Sequence, residues 1–114
     1  MNRYGRLLLS LAFLLPTIAN AAGPVKPVEK AATHGDYQAQ RNLAFGYSDW
    51  PYEGQQKNPV LACAWRIVIL TSDKADETDQ SNYQLYCGRI SQAQYEIAKT
   101  KADLLMDRIE RNAR

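Results

Sequence analysis

The sequence predicts an all-α domain, an antiparallel helix hairpin followed by two further packing helices, on three observations. Apolar residues recur at helical spacing in several separate segments. These segments open on residues that cap helices, Asp, Asn-Pro and Ser. No segment shows a convincing strand alternation, so the buried faces must be helical and must cover one another.

The elements follow in order. Residues 22–28 carry Gly23, Pro24 and Pro27 and read as a flexible or extended leader. A short helix is predicted over residues 28–34, stopped by Gly35. Asp36 caps the next helix, which runs to about Ser48 with Ala39, Leu43, Gly46 and Tyr47 on one face. Gly46 on that face implies another backbone in close approach, while Tyr37, Gln38 and Arg41 fall away from the stripe. Residues 49–57, with Pro51 and Gly54, form a loop longer than most helix connections. Asn58 and Pro59 then start a helix as N-cap and first residue. From Val60 to Leu70 every residue but Arg66 is apolar, which marks a helix buried on several sides and the centre of the fold. Residues 67–70 alone could be read as a strand, but the Pro-capped start and the length favour helix. After a polar, acidic loop over residues 71–78, a third helix spans about 79–87, with Tyr83, Tyr86, Cys87 and Ile90 in register and Gly88 at C′. Ser91 and Gln94 form a capping box for the last helix, where Ala98, Ala102, Leu105 and Ile109 make the stripe, with Ile97 and Leu104 beside it. Arg108, Arg111 and Arg114 suit its C-terminal end.

Residues 1–21 read as a secretory signal: Arg3 and Arg6, an apolar run of about a dozen residues, and Ala19-Asn20-Ala21, placing cleavage before Ala22. The run is shorter than the roughly 20 residues that span a bilayer, so no membrane span is expected after cleavage. With Arg3 and Arg6 set aside from the 14 basic residues, 12 remain against 12 acidic ones. A neutral domain lacks the cationic footprint of a nucleic-acid binder. Export also gives the cysteines their meaning. In an oxidising compartment Cys63 and Cys87 are expected to form a disulfide, which would tie the central helix to the third. Two buried thiols packed as small hydrophobes are the alternative.

Catalytic chemistry finds few residues. His34 is the sole histidine of the chain, and beside a helix-ending glycine it is a poor base for a cysteine already oxidised. The His34, Cys63 and Cys87 spacing fits no zinc pattern. Asp73, Asp76, Glu77 and Asp79 lack EF-hand spacing and read as a solvated acidic loop. There is no Gly-rich phosphate loop and no G-x-S-x-G. The expectation is a non-enzyme with no metal site and no cofactor.

The stretch from Gly35 through Asp36, Tyr37, Gln38, Ala39, Gln40, Arg41, Asn42, Leu43, Ala44, Phe45 and Gly46 to Tyr47 resembles the first helix of a Sel1-like repeat, a relative of the tetratricopeptide repeat. That helix typically reads G-D-x-x-A-Q-x-N-L-x-x-x-Y. Gly35, Asp36, Ala39, Gln40, Asn42, Leu43 and Tyr47 match it in register. Ala62 and Trp65 are similar to the Ala and aromatic of the second helix, and Lys30-Ala31-Ala32 to the tail of a preceding repeat. The resemblance covers residues 29–70 within a single domain of residues 29–112. The loop at 49–57 lacks the family's glycines, and the repeat's usual ending after Trp65 is replaced by the apolar run of residues 67–70. No second full copy follows. Repeats of this class normally bury their faces against neighbours, so here the last two helices and the disulfide must substitute. The resemblance implies a periplasmic or secreted module that binds one protein partner, similar to inhibitor or immunity proteins. A structural, self-associating envelope protein is the alternative. Tyr, Trp and Arg dominate interface hot spots, which makes Tyr37, Arg41, Trp50 and Tyr52 the candidate contact patch. Trp50 and Tyr52 could instead fold back on the domain, and Trp65 is assigned to the core.

Overall fold

The computed structural model describes residues 23–114, which form five helices: α1 (Val25–Thr33), α2 (Tyr37–Ser48), α3 (Pro59–Leu70), α4 (Glu77–Cys87) and α5 (Gln92–Asn112). The secretory signal and its cleavage point lie outside the described residues. The class is all-α. Among the described residues the single extended pairing is a parallel bridge between Pro24 and Glu53. No described helix is long and apolar enough to cross a membrane.

The caps form as the sequence implies. Asp36 accepts from Ala39 N, Asn58 from Leu61 N, and Ser91 exchanges bonds with Gln94. α3 is the hub, packed against α2, α4 and α5. Ala62, Cys63, Ala64, Trp65, Val68 and Ile69 are all buried in it, each large side chain contributing roughly 1.5–3 kcal/mol. α2 and α3 form an antiparallel hairpin. Asn58 N bonds Tyr47 O at one end, and Gly35 and Gln40 share a cavity with Val68, Thr71 and Ser72 at the other. Ala98 and Ala102 of α5 are fully buried in the shared core, letting that helix lie close to α3.

Two segments differ from expectation. The leader is not flexible from Val25 onward: α1 starts there, and Pro27 sits in its first turn, where a missing N–H leaves no bond unmade. Val25 N and Glu53 N bond Glu53 O and Gly23 O, each at 3.0 Å, pinning this start to the α2–α3 loop. α4 starts at Glu77, two residues early, because Asp76 and Asp79 form a reciprocal capping box. The acidic stretch is therefore partly structural. Glycines are corrected too. Gly46 accommodates a side chain, not a backbone: a Cβ there would stand 2.1 Å from Gln55 Oε1. Gln55 in turn bonds Leu43 O and Tyr52 N, clamping the loop onto α2. Gly88 is right-handed, and its constraint is space: a Cβ at this position would stand 2.6 Å from the Gln84 carbonyl oxygen.

The end of α1 is closed from two directions. Gln40 Nε2 donates to Ala32 O at 3.1 Å and Asn112 Nδ2 to Thr33 O at 2.7 Å, supplying partners for carbonyls that a helix end leaves open. The chain then turns at Gly35, with φ +91°. Gly35→Ala is expected to lower stability by about 1 kcal/mol or more, because this backbone conformation is strained for any L side chain. Thermal denaturation checks this.

Candidate functional site: the α2–α4 face

α2 and α4 lie on the same side of α3 and run in the same direction, held at both ends by charge. At the N-terminal ends, Tyr37 donates its hydroxyl to Asp79 Oδ2, and Arg41 Nε stands 3.1 Å from Asp79 Oδ1. At the C-terminal ends, Arg89 lies 4.0 Å from Asp49. Both helices are positioned by local signals: Asp36 caps α2 one residue before Tyr37, and the Asp76 box sets Asp79 at the third position of α4.

Asp79 is only 1% exposed. Burial pushes its carboxyl up. The Tyr37 hydroxyl, the Asp76 backbone N–H and Arg41 outweigh that and hold it below its ordinary value. Tyr37 is pushed up to about 12, first by its bond to Asp79 and then by burial, with Arg41 opposing. This group is a fixed ionic clasp between two helices that have no local sequence link.

Between the clasps lies Arg66 of α3, 4% exposed, its Nε without a hydrogen-bond partner. Its guanidinium sits 4.9 Å from the centroid of the Tyr86 ring, and that of Arg89 sits 4.7 Å from the same centroid. Burial pushes the Arg66 guanidinium down, while Tyr86 and Asp79 pull it up; an arginine remains charged regardless. Tyr86 and Arg89 also line, with Ser48, Pro59 and Ala62, a cavity of about 120 Å³. That is too small for a drug-sized ligand.

The expected contact patch divides. Tyr37 and Arg41 both reach the buried Asp79 carboxylate and stay half-buried themselves. Tyr52 is half-buried against the core. Trp50 is 70% exposed and does not fold back. Trp65 is buried in the core. Of the other motif residues, Ala39, Gln40, Leu43 and Ala62 are buried, Tyr47 is half-buried and Asn42 is exposed. The Cys63 and Cys87 Sγ atoms are 2.09 Å apart, at disulfide distance, joining α3 to α4. His34 is exposed at the end of α1, bonded to Lys30 O. Among the described residues no group of three His, Cys, Asp or Glu is placed to hold a metal. Sequence reasoning does not single out Asp79, Arg66 or Tyr86 as site residues. A signal exists for Arg66, a lone charge in an apolar helix.

No family model, no curated protein and no solved structure matches this chain.

Proposed function

We propose that the chain is an exported interaction module, built on one Sel1-like repeat, that docks a single protein of the cell envelope. Blocking an enzyme by docking, as inhibitor and immunity proteins do, is the form of action this suggests. Trp50 is the observation that carries the reading. It stands largely in solvent next to Asp49, whose carboxylate reaches Arg89, so it sits at the rim of the α2–α4 face. Phe45, one turn earlier on α2, and Leu85, one turn before Arg89, are also exposed. A solvent-exposed Trp flanked by apolar and Arg side chains is the composition of a hot spot.

The test is retention of a partner from a periplasmic extract on the immobilised, oxidised protein. Wild type is expected to retain one stoichiometric protein. Trp50→Ala is expected to lose it, at a cost of about 2 kcal/mol or more in binding, with stability unchanged within roughly 0.5 kcal/mol. Recovery of nothing by wild type overturns the reading. Self-association is the second reading, favoured by Ile97 and Leu104, two exposed apolar residues one heptad apart on α5. It predicts a mass that falls on dilution in light scattering.

A further inference from the structure

We infer that the groove between α1 and α5 binds an acidic polypeptide segment, its carboxylates held by Lys26 and Lys30 on one wall and Arg108 on the other. This groove belongs to a different pair of helices from the Trp50 surface, and its binding does not depend on the module reading.

The groove follows from how the two helices are supported. α1 rests mainly on α2, and α5 on α3. α1 and α5 touch lightly, and near their C-terminal ends Asn112 Nδ2 donates to Thr33 O. The space between them is a cavity of about 380 Å³. Lys26, Lys30 and His34 line it from α1, at i, i+4 and i+8, and so share one face. Arg108 lines it from α5. All four are exposed. A single carboxylate, that of Glu29, lines the same space. Among the described residues the ion pairs lie elsewhere, and none involves Lys26, Lys30 or Arg108.

α5 sorts its charges in the same sense. Lys101, Leu104, Arg108 and Arg111 succeed one another at steps of three or four, one stripe of the helix. Asp103, Asp107 and Glu110 form a separate stripe at the same spacing. Arg108 puts the cationic stripe on the side of α1. Residues 22–114, balanced in charge overall, thus gather cations along one groove.

The chemistry of the occupant follows from charge and shape. Cations of one sign lining a concave surface concentrate anions there. Two of the three permanent charges are ammonium groups, which impose no planar geometry, so Glu and Asp serve equally. The cations stand on both sides of a groove, which admits an extended chain. A bilayer is flat, and interfacial binding uses one outward face of a helix. Asn112 uses one N–H on Thr33 O. A primary amide has a second N–H and an acceptor oxygen, which suit a peptide backbone. Leu104, 63% exposed one turn before Arg108, offers an apolar contact to residues flanking the acids.

The experiment measures fluorescence anisotropy on the full oxidised chain. The probes are fluorescein-labelled acetyl-Glu-Glu-Leu-Gly-Glu-Glu-amide and its Gln counterpart. The Glu peptide is expected to bind saturably, about fivefold more weakly at physiological than at low ionic strength. The Gln peptide is expected not to bind. The Lys30→Glu, Arg108→Glu double variant, altered only at exposed positions, is expected to weaken binding by about tenfold or more. Lys57→Glu reverses an exposed charge outside the groove and is expected to leave binding within about twofold. In wild type, NMR is expected to show the Asn112 side-chain amide shifting with the Glu peptide alone. Vesicles of phosphatidylglycerol and phosphatidylcholine are expected not to sediment the chain at physiological salt. Absent binding, equal binding of the Gln peptide, an equal loss in Lys57→Glu or an unmoved Asn112 amide overturns the inference. Sedimentation with the vesicles that the double variant abolishes also overturns it, and gives the groove to a lipid surface.

Discussion

Asp79→Ala is expected to destabilise the domain by about 3 kcal/mol, a large share of the 5–15 kcal/mol typical of a small domain. The substitution leaves the Tyr37 hydroxyl and the Arg41 guanidinium without their acceptor and deletes half of the α4 capping box. Tyr37 and Arg41 are only half-buried and can recover some bonds from water, so the loss falls at the lower end of the range for a broken buried pair. Tyr37→Phe should cost about 1 kcal/mol. The Tyr37→Phe, Asp79→Ala double variant should show coupling, since both remove one bond.

The same clasp makes stability depend on pH at both extremes. The Asp79 carboxyl is held below its ordinary value of 3.8 in the fold. The unfolded chain therefore takes up the proton first as pH falls. The contribution of Asp79 is complete above its unfolded pKa and is lost as pH drops from there through the folded value. Tyr37 behaves in the opposite sense. It holds its proton up to about 12, against 10.0 when free. The contribution is intact below pH 10 and disappears as pH rises from 10 to about 12. Denaturation midpoints across pH should show both losses in wild type. Asp79→Asn should flatten the acid limb, and Tyr37→Phe the alkaline one. Unaltered limbs in both variants would show that the clasp does not set the pH profile.

Removing the disulfide is expected to cost about 3 kcal/mol. Cys63 and Cys87 close a loop of 24 residues, and restricting the unfolded chain to that loop accounts for this amount in the entropy model. In urea, the Cys63→Ala, Cys87→Ala double variant should unfold at a concentration lower by roughly 2 M, given a slope near 1.5 kcal/mol per M. Reductant should reproduce the shift in wild type and add two hydrogens to its intact mass. Both sulfurs are buried, so reduction under native conditions should be slow and limited by opening of the α3–α4 contact. An identical urea midpoint with and without the bond would mean that helix packing alone holds α4.

What is legible in the sequence is local. Asp36, Asn58 and Ser91 are strong caps three residues from the N–H they accept, so helix starts at α2, α3 and α5 are visible in short windows. The Asp76–Asp79 box escapes notice because two acidic residues in an acidic stretch look like solvated loop, and the common box pairs Ser or Thr with Glu or Gln. The sequence places the start of α1 too late because Pro24 and Pro27 look like breakers, although Pro24 only precedes the helix as its N-cap residue and the first turn tolerates Pro27. The Cys pair is legible because only two cysteines exist, and the export expected from residues 1–21 would favour their oxidation. The clasp is not. Tyr37 and Asp79 are 42 residues apart, and no periodicity links them. Amphipathic spacing places Tyr37 and Arg41 off the buried stripe of α2, which is true of that helix alone. It does not show that α4 lies alongside and brings a carboxylate. Arg66 is visible as an exception, but its partner Tyr86 belongs to a different helix.

The bond from Asn112 to the last carbonyl turn of α1 spans 79 residues. A polypeptide that emerges from a ribosome or a translocation pore does so from its N-terminal side. α1 therefore arrives first and waits, its final turn incomplete, until residue 112 is free. α2 and α3 can form their hairpin on the way, because their contacts are close in sequence. During synthesis this bond cannot form until nearly the whole domain has cleared the exit. A chain stalled before that point would keep an open, unlatched first helix, within reach of chaperones and proteases.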